Sequence, residues 1–153
     1  GTGTAEARRP GLEALRLAVH RPEAVAARLE PFLFPDPLQR RAFGVLAGAE
    51  TLQLAMEEAE EDDPQVADLL RRLVVEEPAE DADAVIVQLV RIAARRALGD
   101  LESQARLSPE AFAELAPLTA RLHHDLEDLD APDGGVIAAD RLLAWLSKGE
   151  ERE

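Results

Sequence analysis

The amino-acid sequence predicts an all-α protein, and three observations support this prediction. Apolar residues recur at the three- and four-residue spacing of a helical face along most of the 153 residues. Prolines and N-capping residues divide that pattern into separate segments. The one stretch that could pass for a strand, 85–87, continues into helical spacing, and no repeat or parallel-sheet pattern is present. We therefore predict a compact helical bundle, a long connecting helix, a helical hairpin and one extra helix.

The first half of the chain is predicted to fold into five short helices. Proline suits the first turn of a helix, and Asp or Thr can accept a hydrogen bond from a free backbone N–H there. The first helix should end before Pro22, because the residue before a proline avoids the α region. The predicted positions are 12–19, a start at Pro22, a start at Asp36 or Pro37, 51–59 and 64–75.

Loops between these helices are predicted from proline and from runs of acid. The segment PFLFPDP is predicted to be a loop whose Phe32 and Phe34 fill the core. The acidic run EEAEEDDP should break the fourth helix before Asp63 and Pro64 cap and open the fifth. A second acidic joint, 76–83, precedes the long helix.

The joint at Ser108 and Pro109 is the most informative point of the second half. Ser is a good N-cap and Pro is favoured at the first helical position, so one long helix stops here and another begins at once. The first covers 83–107, and the second runs to about Leu129. Pro117 should kink or split the second helix, because it removes a helical hydrogen bond. The apolar stripe predicted for the first helix is Ile86, Leu89, Val90, Ala93, Ala97 and Leu101.

The predicted domain organisation has four segments. Residues 1–9 begin with GTGT and contain no Met, so we predict an expression scar or linker there, and a chain that is a piece of a longer protein. A helical bundle subdomain is predicted at 10–96 and a helical hairpin subdomain at 97–130. The extension at 131–153 comprises an APDGG loop, a last helix at 136–147 and a frayed KGEERE tail.

The charge of the chain is large and unevenly distributed. It carries 31 Asp and Glu against 17 Lys and Arg, for a net charge of −14. Residues 1–50 have a net charge of +1, residues 51–100 one of −8 and residues 101–153 one of −7. Because phosphate backbones bind dense cationic patches, we predict no direct binding of nucleic acid by this domain. The near-neutral first third is the only part of the chain where we expect an anionic partner to bind.

The residue usage also bears on compartment and membrane. The chain has no Cys, which excludes disulfides, thiolate zinc sites and Cys nucleophiles and fits a reducing cytoplasm. No apolar run approaches the roughly 20 residues of a membrane span, and no signal-peptide pattern is present. We expect a cytoplasmic protein with no membrane partner.

No motif for catalysis or for cofactor binding is recognisable. The sequence lacks the P-loop, the nucleophile elbow and a Gly-rich loop after a strand. His123 and His124 form i,i+4 pairs with Glu127 and Asp128, but each pair supplies only two metal ligands on a different face. The segment DLDAPDGG lacks the ligands that calcium loops carry at their fifth and twelfth positions, and is predicted to be a turn. We predict no catalytic residue, no metal and no cofactor.

Four arginine pairs are distributed along the chain. Most should be surface arginines that pair with neighbouring acids, and the alternative is a small basic pocket for an acidic peptide. The pairs are Arg8-Arg9, Arg40-Arg41, Arg71-Arg72 and Arg95-Arg96.

The chain contains, in order, the stretches LEALRLAVHRPEAVAARL, VADLLRRLVVEEP and LGDLESQARLSPEAFAELAPLTARL. Together these three stretches resemble the C-terminal helicase-binding domain of bacterial DnaG primase. LEALRLAVHRPEAVAARL, at 12–29, resembles the opening helix of that domain and the helix after it. VADLLRRLVVEEP, at 66–78, is similar to the middle of its first subdomain. LGDLESQARLSPEAFAELAPLTARL, at 98–122, resembles the hairpin of its second subdomain, including a Leu-Ser-x-Glu joint. The resemblance covers about 10–129 and depends on the order and spacing of the stretches.

This resemblance implies a non-catalytic domain of a primase, the polymerase that makes RNA primers. In that family the domain docks on the N-terminal collar of the hexameric replicative helicase DnaB, chiefly through the terminal hairpin. Docking couples primer synthesis to the replication fork and modulates the helicase. The helicase-binding residues implied here are Leu107, Phe112, Leu115, Leu118, Leu122, His123, His124 and Leu126, with Leu142, Trp145 and Leu146 in the extension.

The resemblance implies a second partner and shows one departure. In some members the first subdomain binds the acidic C-terminal tail of single-stranded DNA-binding protein, and Arg8, Arg9 and Arg72 fall near the matching positions. In shorter members the hairpin would end between His123 and Leu129, whereas this chain continues to Glu153 through a helix that carries the only tryptophan, Trp145. That helix either covers the hairpin or extends the helicase contact.

Two alternatives remain open from the sequence. The N-terminal collar domain of the replicative helicase shares a helical-bundle fold, and it would self-associate into a hexameric ring. An uncharacterised helical scaffold, enzyme or metal protein is the other alternative. Molar mass in solution and an elemental analysis for bound metal distinguish these from a monomeric docking domain.

Overall fold

The computed structural model describes residues 2–132 and 135–152, and in those residues it contains eight α-helices and no strand. The predicted all-α class is therefore confirmed. A short 3-10 turn, Pro31–Leu33, lies between the second and third helices. The helices are α1 (Thr2–His20), α2 (Pro22–Val25), α3 (Pro37–Gly48), α4 (Leu52–Asp62), α5 (Pro64–Val75), α6 (Ala82–Ala105), α7 (Pro109–Leu129) and α8 (Gly135–Arg152).

Four helices begin at the capping residues that the sequence indicates. In each case the side-chain oxygen accepts a hydrogen bond from the backbone N–H three residues later, which satisfies one of the free donors of the first turn. Proline follows the cap in three of the four. The caps are Asp36, Thr51, Asp63 and Ser108, at 3.0–3.4 Å from those N–H groups.

Helix ends differ from the prediction in three places. Helix α1 begins at Thr2 rather than near residue 12, so residues 2–9 are helical although a linker was predicted. Helix α4 continues through the acidic run to Asp62, because Glu is a good helix former and the break comes only at the Asp63 cap. Helix α8 continues to Arg152, so the described part of the predicted frayed tail is helical. The predicted APDGG loop includes residues 133 and 134, which lie outside the described part of the chain.

The chain divides into two compact units, Gly1–Leu89 and Val90–Glu153. The division falls inside α6, seven residues before the 96/97 boundary expected from the sequence. The first unit comprises α1 to α5 with the first turns of α6. The second comprises the rest of α6 with α7 and α8.

The core of the first unit is organised around Phe34. Its side chain is fully buried and stacks on Phe43, with ring centroids 5.1 Å apart and an angle of 23° between the rings. Leu33 is buried as well, whereas Phe32 is only half-buried. The prediction that Phe32 and Phe34 both fill the core is therefore wrong for Phe32. The 3-10 turn directs the side chains of Leu33 and Phe34, rather than that of Phe32, into the core.

Helices α1 and α3 approach each other closely at a glycine. Gln39 of α3 is buried, and its Nε2 donates a hydrogen bond of 2.8 Å to the backbone oxygen of Arg8. A Cβ atom at Gly11 would lie 2.0 Å from the Oε1 atom of Gln39. The absence of a side chain at Gly11 therefore leaves the space that the Gln39 amide occupies.

A buried carboxylate joins α1 to the segment before α6. Glu13 is 5% exposed, and its Oε1 accepts hydrogen bonds from the backbone N–H groups of Ala79 (2.6 Å) and Glu80 (3.2 Å). Its Oε2 accepts a hydrogen bond of 2.9 Å from Arg16, which also pairs with Glu76 at 3.3 Å. The acidic joint is thus not merely solvated, because one buried carboxylate binds its backbone.

The buried face of α6 departs from the predicted stripe beyond Val90. Ile86, Leu89 and Val90 are buried as predicted. Further along, the predicted Ala93, Ala97 and Leu101 are only half-buried. The predicted stripe requires that one face of the helix is buried along its whole length. Instead, the two ends of this helix belong to two different units. The buried residues beyond Val90 are Ile92, Ala94, Leu98 and Ala105.

The N-cap of α5 gives a prediction for acid stability. Asp63 accepts a hydrogen bond of 2.9 Å from Nε of Arg41, and this bond is the main reason why the pKa of Asp63 lies below its ordinary value of 3.8. The folded state therefore favours the ionised carboxylate. Asp63 stabilises the fold above a pH of about 3.8, and this contribution is lost as the pH falls through the lowered pKa.

We expect the variant Asp63→Asn to be less stable than the wild type at neutral pH. Asn keeps the capping ability but loses the charged partner of Arg41. The difference in melting temperature should shrink as the pH falls below 3.8 and disappear once the pH lies below the lowered pKa of Asp63. Thermal unfolding followed by circular dichroism measures this, and a difference that is constant with pH would contradict the prediction.

Candidate functional site

Helices α6 and α7 form an antiparallel hairpin within the second unit. The Oγ of Ser108 accepts a hydrogen bond of 3.0 Å from the N–H of Ala111, and only residues 106–108 separate the two helices. At the other end of α7, Arg91 of α6 pairs with Asp130. The sharp stop and restart predicted at Ser108 and Pro109 is confirmed.

The turn of this hairpin exposes large apolar side chains. Leu107 is 82% exposed and Phe112 is 62% exposed. We define the hairpin tip as residues 107–112. A cavity of about 160 Å³ lies beside it, lined by Glu102, Ala105, Arg106, Phe112, Ala116 and Thr119. Exposing two large apolar side chains within six residues of the chain has a cost in water, and exposed apolar patches often mark interaction sites.

Helix α7 runs unbroken from Pro109 to Leu129 through Pro117. The alternative that Pro117 splits the helix is therefore wrong. Proline has no N–H, so the carbonyl of Ala113 lacks its helical partner. Both Ala113 and Pro117 are exposed, which lets water satisfy that carbonyl. One turn later Thr119 donates a hydrogen bond of 3.0 Å to the backbone oxygen of Ala116.

Helix α8 packs antiparallel along α7. Arg141 lies opposite Asp125 and Asp128, with Nη2 to carboxylate distances of 3.2 and 2.9 Å. In this register each later residue of α8 lies opposite an earlier one of α7. The last helical residue, Arg152, is eleven residues beyond Arg141 and so lies opposite residues 114–117. The extension helix covers one face of α7 and stops short of the hairpin tip.

The residues implied as helicase-binding fall into three groups by exposure. Leu107, Phe112, His123 and His124 are exposed, and Nε2 of His124 lies 3.6 Å from the Asp128 carboxylate. Leu122 and Leu142 are 2% and 0% exposed, so they pack in the core of the second unit and offer no surface to a partner in this conformation. The half-buried residues are Leu115, Leu118, Leu126, Trp145 and Leu146.

The three arginines implied for an acidic peptide do not converge. Arg16 and His20 of α1 lie against Glu76 and Leu73 near the end of α5, so the two helices are antiparallel. Arg72 therefore lies beside the end of α1. Arg8 and Arg9 are eleven or twelve residues away along α1, or about 18 Å at the 1.5 Å rise of a helix. Arg8 also lies 3.7 Å from the carboxylate of Asp36.

One cluster that the sequence did not indicate lies between α7 and α8. Arg121 and Asp125 of α7 line the same cavity as Arg141 and Lys148 of α8. These positions are far apart in sequence, and only the register of the two helices brings them together. The helical spacing of Arg141, Trp145 and Lys148 on one face of α8 was the available signal.

The described residues contain neither a group of metal-ligand side chains nor a membrane-spanning helix. Among residues 2–132 and 135–152, no three His, Asp or Glu side chains are grouped so that they could hold a metal ion. Nor does any helix in those ranges have the length and apolar character that a bilayer span requires.

Comparison with known proteins adds no relative. The chain matches no protein-family model, no curated protein and no solved structure at a significant level. We therefore infer function from the geometry of the second unit together with the sequence resemblance.

Proposed function

We propose that this chain is a non-catalytic protein-interaction module that docks through its hairpin tip. The observation that carries the proposal is the pair of exposed side chains, Leu107 and Phe112, at a joint that is capped and almost without a loop. A short, capped joint holds both side chains in place before binding. Such preorganisation reduces the entropy lost on association.

We further propose the N-terminal domain of the replicative helicase DnaB as the partner. This proposal comes from the resemblance to the helicase-binding domain of DnaG primase, in which the terminal hairpin makes the contact. The order of a helical bundle, a long helix and a hairpin is compatible with it. Docking would then couple primer synthesis to the replication fork and modulate the helicase, with no chemistry performed by this chain.

Two large apolar side chains at the tip are enough to act as the main contacts of an interface. Large apolar side chains that become fully desolvated at an interface contribute about 2 kcal/mol or more each when they act as hot spots. Each apolar Å² buried contributes about 25 cal/mol before the entropic costs of association. Leu107 and Phe112 are the two large apolar side chains best placed for this role, because they are 82% and 62% exposed at the joint between α6 and α7.

Calorimetry with the purified N-terminal domain of a DnaB helicase tests both parts of the proposal. The double variant Leu107→Ala, Phe112→Ala should weaken binding by about thirtyfold or more, which corresponds to about 2 kcal/mol. The matched control is Val75→Ala, because Val75 is 81% exposed but lies in the first unit. The control should bind like the wild type.

Two outcomes would overturn the proposal. One is that the intact chain does not bind the helicase domain. The other is that the tip variant and the Val75 control bind equally well while both keep the helical circular dichroism of the wild type. A molar mass of six chains in light scattering would instead favour the helicase collar domain as the identity of this chain.

A further inference from the structure

A cavity in the second unit lies between α7 and α8. It has a volume of about 300 Å³, and it is separate from the hairpin tip. Its apolar lining is Leu118, Leu122, Ala144 and Trp145, and its charged lining is Arg121, Asp125, Arg141 and Lys148.

The cavity is rich in cations although the part of the chain that forms it is acidic. Residues 101–153 contain twelve Asp and Glu but only five Lys and Arg. Three of those five line this one cavity, together with a single acid. The only tryptophan and the only lysine of the chain, Trp145 and Lys148, are both among the lining residues.

Two of the three cations are available to a ligand. Arg141 is held by Asp125 and Asp128 at 3.2 and 2.9 Å, so its charge is already compensated. Arg121 and Lys148 are exposed, and neither forms an ion pair with a side chain of residues 5–132 or 135–149. Single surface cations of this kind are usually only solvated. Here they come from two different helices and line one cavity together with apolar side chains.

The chemistry of the cavity indicates the class of ligand. Half-buried Trp145 offers a flat apolar surface to an inserted side chain. A volume of about 300 Å³ is at the lower limit of ligand pockets, which suits one apolar side chain rather than a large ligand. Arg121 and Lys148 stand on separate helices, which suits carboxylates spaced along a chain. A compact polyphosphate would place several charges together beside Asp125 and Asp128.

We propose that the cavity between α7 and α8 binds an acidic peptide segment. One apolar side chain of the peptide packs on Trp145 and Leu118, and the carboxylates on either side of it pair with Arg121 and Lys148. This site is independent of the hairpin tip, because none of residues 107–112 lines the cavity. The chain would therefore hold two partner segments at once, one at each site.

Fluorescence of Trp145 tests the proposal directly, because it is the only tryptophan and lies in the cavity. The probe is the capped peptide Glu-Glu-Leu-Glu-Glu at low ionic strength, where charge pairs are least screened. We expect a saturable change in the emission. The double variant Arg121→Gln, Lys148→Gln should raise the half-saturating peptide concentration at least tenfold. The matched control is Arg95→Gln, Arg96→Gln, which removes two exposed cations of the same unit outside the cavity.

Two further peptides separate the contributions of charge and of apolar contact. The peptides Gln-Gln-Leu-Gln-Gln and Glu-Glu-Gly-Glu-Glu should each bind at least tenfold more weakly than the probe. If the cavity variant at 121 and 148 and the control variant at 95 and 96 weaken peptide binding equally, the effect of charge is non-specific. That result would overturn the proposal. A response to ATP in the absence of any response to the peptide would also overturn it. The Leu107→Ala, Phe112→Ala variant should bind the peptide normally, so this test fails or succeeds apart from helicase docking.

Discussion

Replacing Phe34 by alanine should lower the free energy of unfolding by about 3–5 kcal/mol. The ring of Phe34 is 0% exposed and stacks on Phe43 at 5.1 Å, so its removal loses the buried apolar area and the aromatic contact and leaves a cavity. This is the largest single effect that we expect in the molecule. Urea unfolding followed by circular dichroism measures it.

The control for Phe34 is its neighbour Phe32. Phe32 has the same chemistry and lies two residues away, but its side chain is only half-buried. Phe32→Ala should therefore cost clearly less than Phe34→Ala, with a difference of at least about 1 kcal/mol. Equal losses for the two variants would mean that the inward position is shared between them, as the sequence pattern predicts.

The second large effect is expected at Glu13. In Glu13→Ala the N–H groups of Ala79 and Glu80 lose their acceptor, and the charge of Arg16 loses its nearest partner. Leaving buried donors unsatisfied and breaking a largely buried ion pair costs about 2–4 kcal/mol. For a chain of this length, a loss of about 3 kcal/mol lowers the melting temperature by about 6–12 °C.

Two variants separate the causes of the Glu13 effect. Glu13→Gln keeps one oxygen that can accept from Ala79 and Glu80 but removes the charge, so its loss should be intermediate. Glu6→Ala removes an exposed carboxylate from the same helix and should change stability by no more than about 0.5 kcal/mol. If Glu13→Ala is as stable as Glu6→Ala, the buried hydrogen bonds do not hold the joint before α6.

The helix starts were readable from the sequence because they are local. Ser108 and Asp63 cap helices through bonds that span only three residues, so the residue types and spacing carry the whole signal. The start of α1 was not readable, because the Gly and Thr residues at its beginning are weak helix formers. Pro10 inside that helix is also normally a signal for a helix end.

What depends on contacts between helices could not be read from one sequence. The burial of Phe34 rather than Phe32 follows from a turn whose direction only the neighbouring helices determine. The burial of Ala94 and Leu98 rather than Ala97 on α6 likewise depends on the neighbouring helices. The cavity with Arg121 and Lys148 depends on the register between α7 and α8. For the hairpin tip, the sequence predicted the joint but not the 82% exposure of Leu107, which depends on how the helices of the second unit pack.

The close approach of α1 and α3 constrains how this protein can evolve. Gly11 and Gln39 occupy one small volume, since a methyl group at position 11 would meet the Gln39 amide at 2.0 Å. A larger residue at 11 requires the Gln39 amide to move or a shorter residue at 39, and either change abandons the bond to the Arg8 carbonyl. Homologous sequences should therefore show covariation between these two positions, with glycine and glutamine gained or lost as a pair.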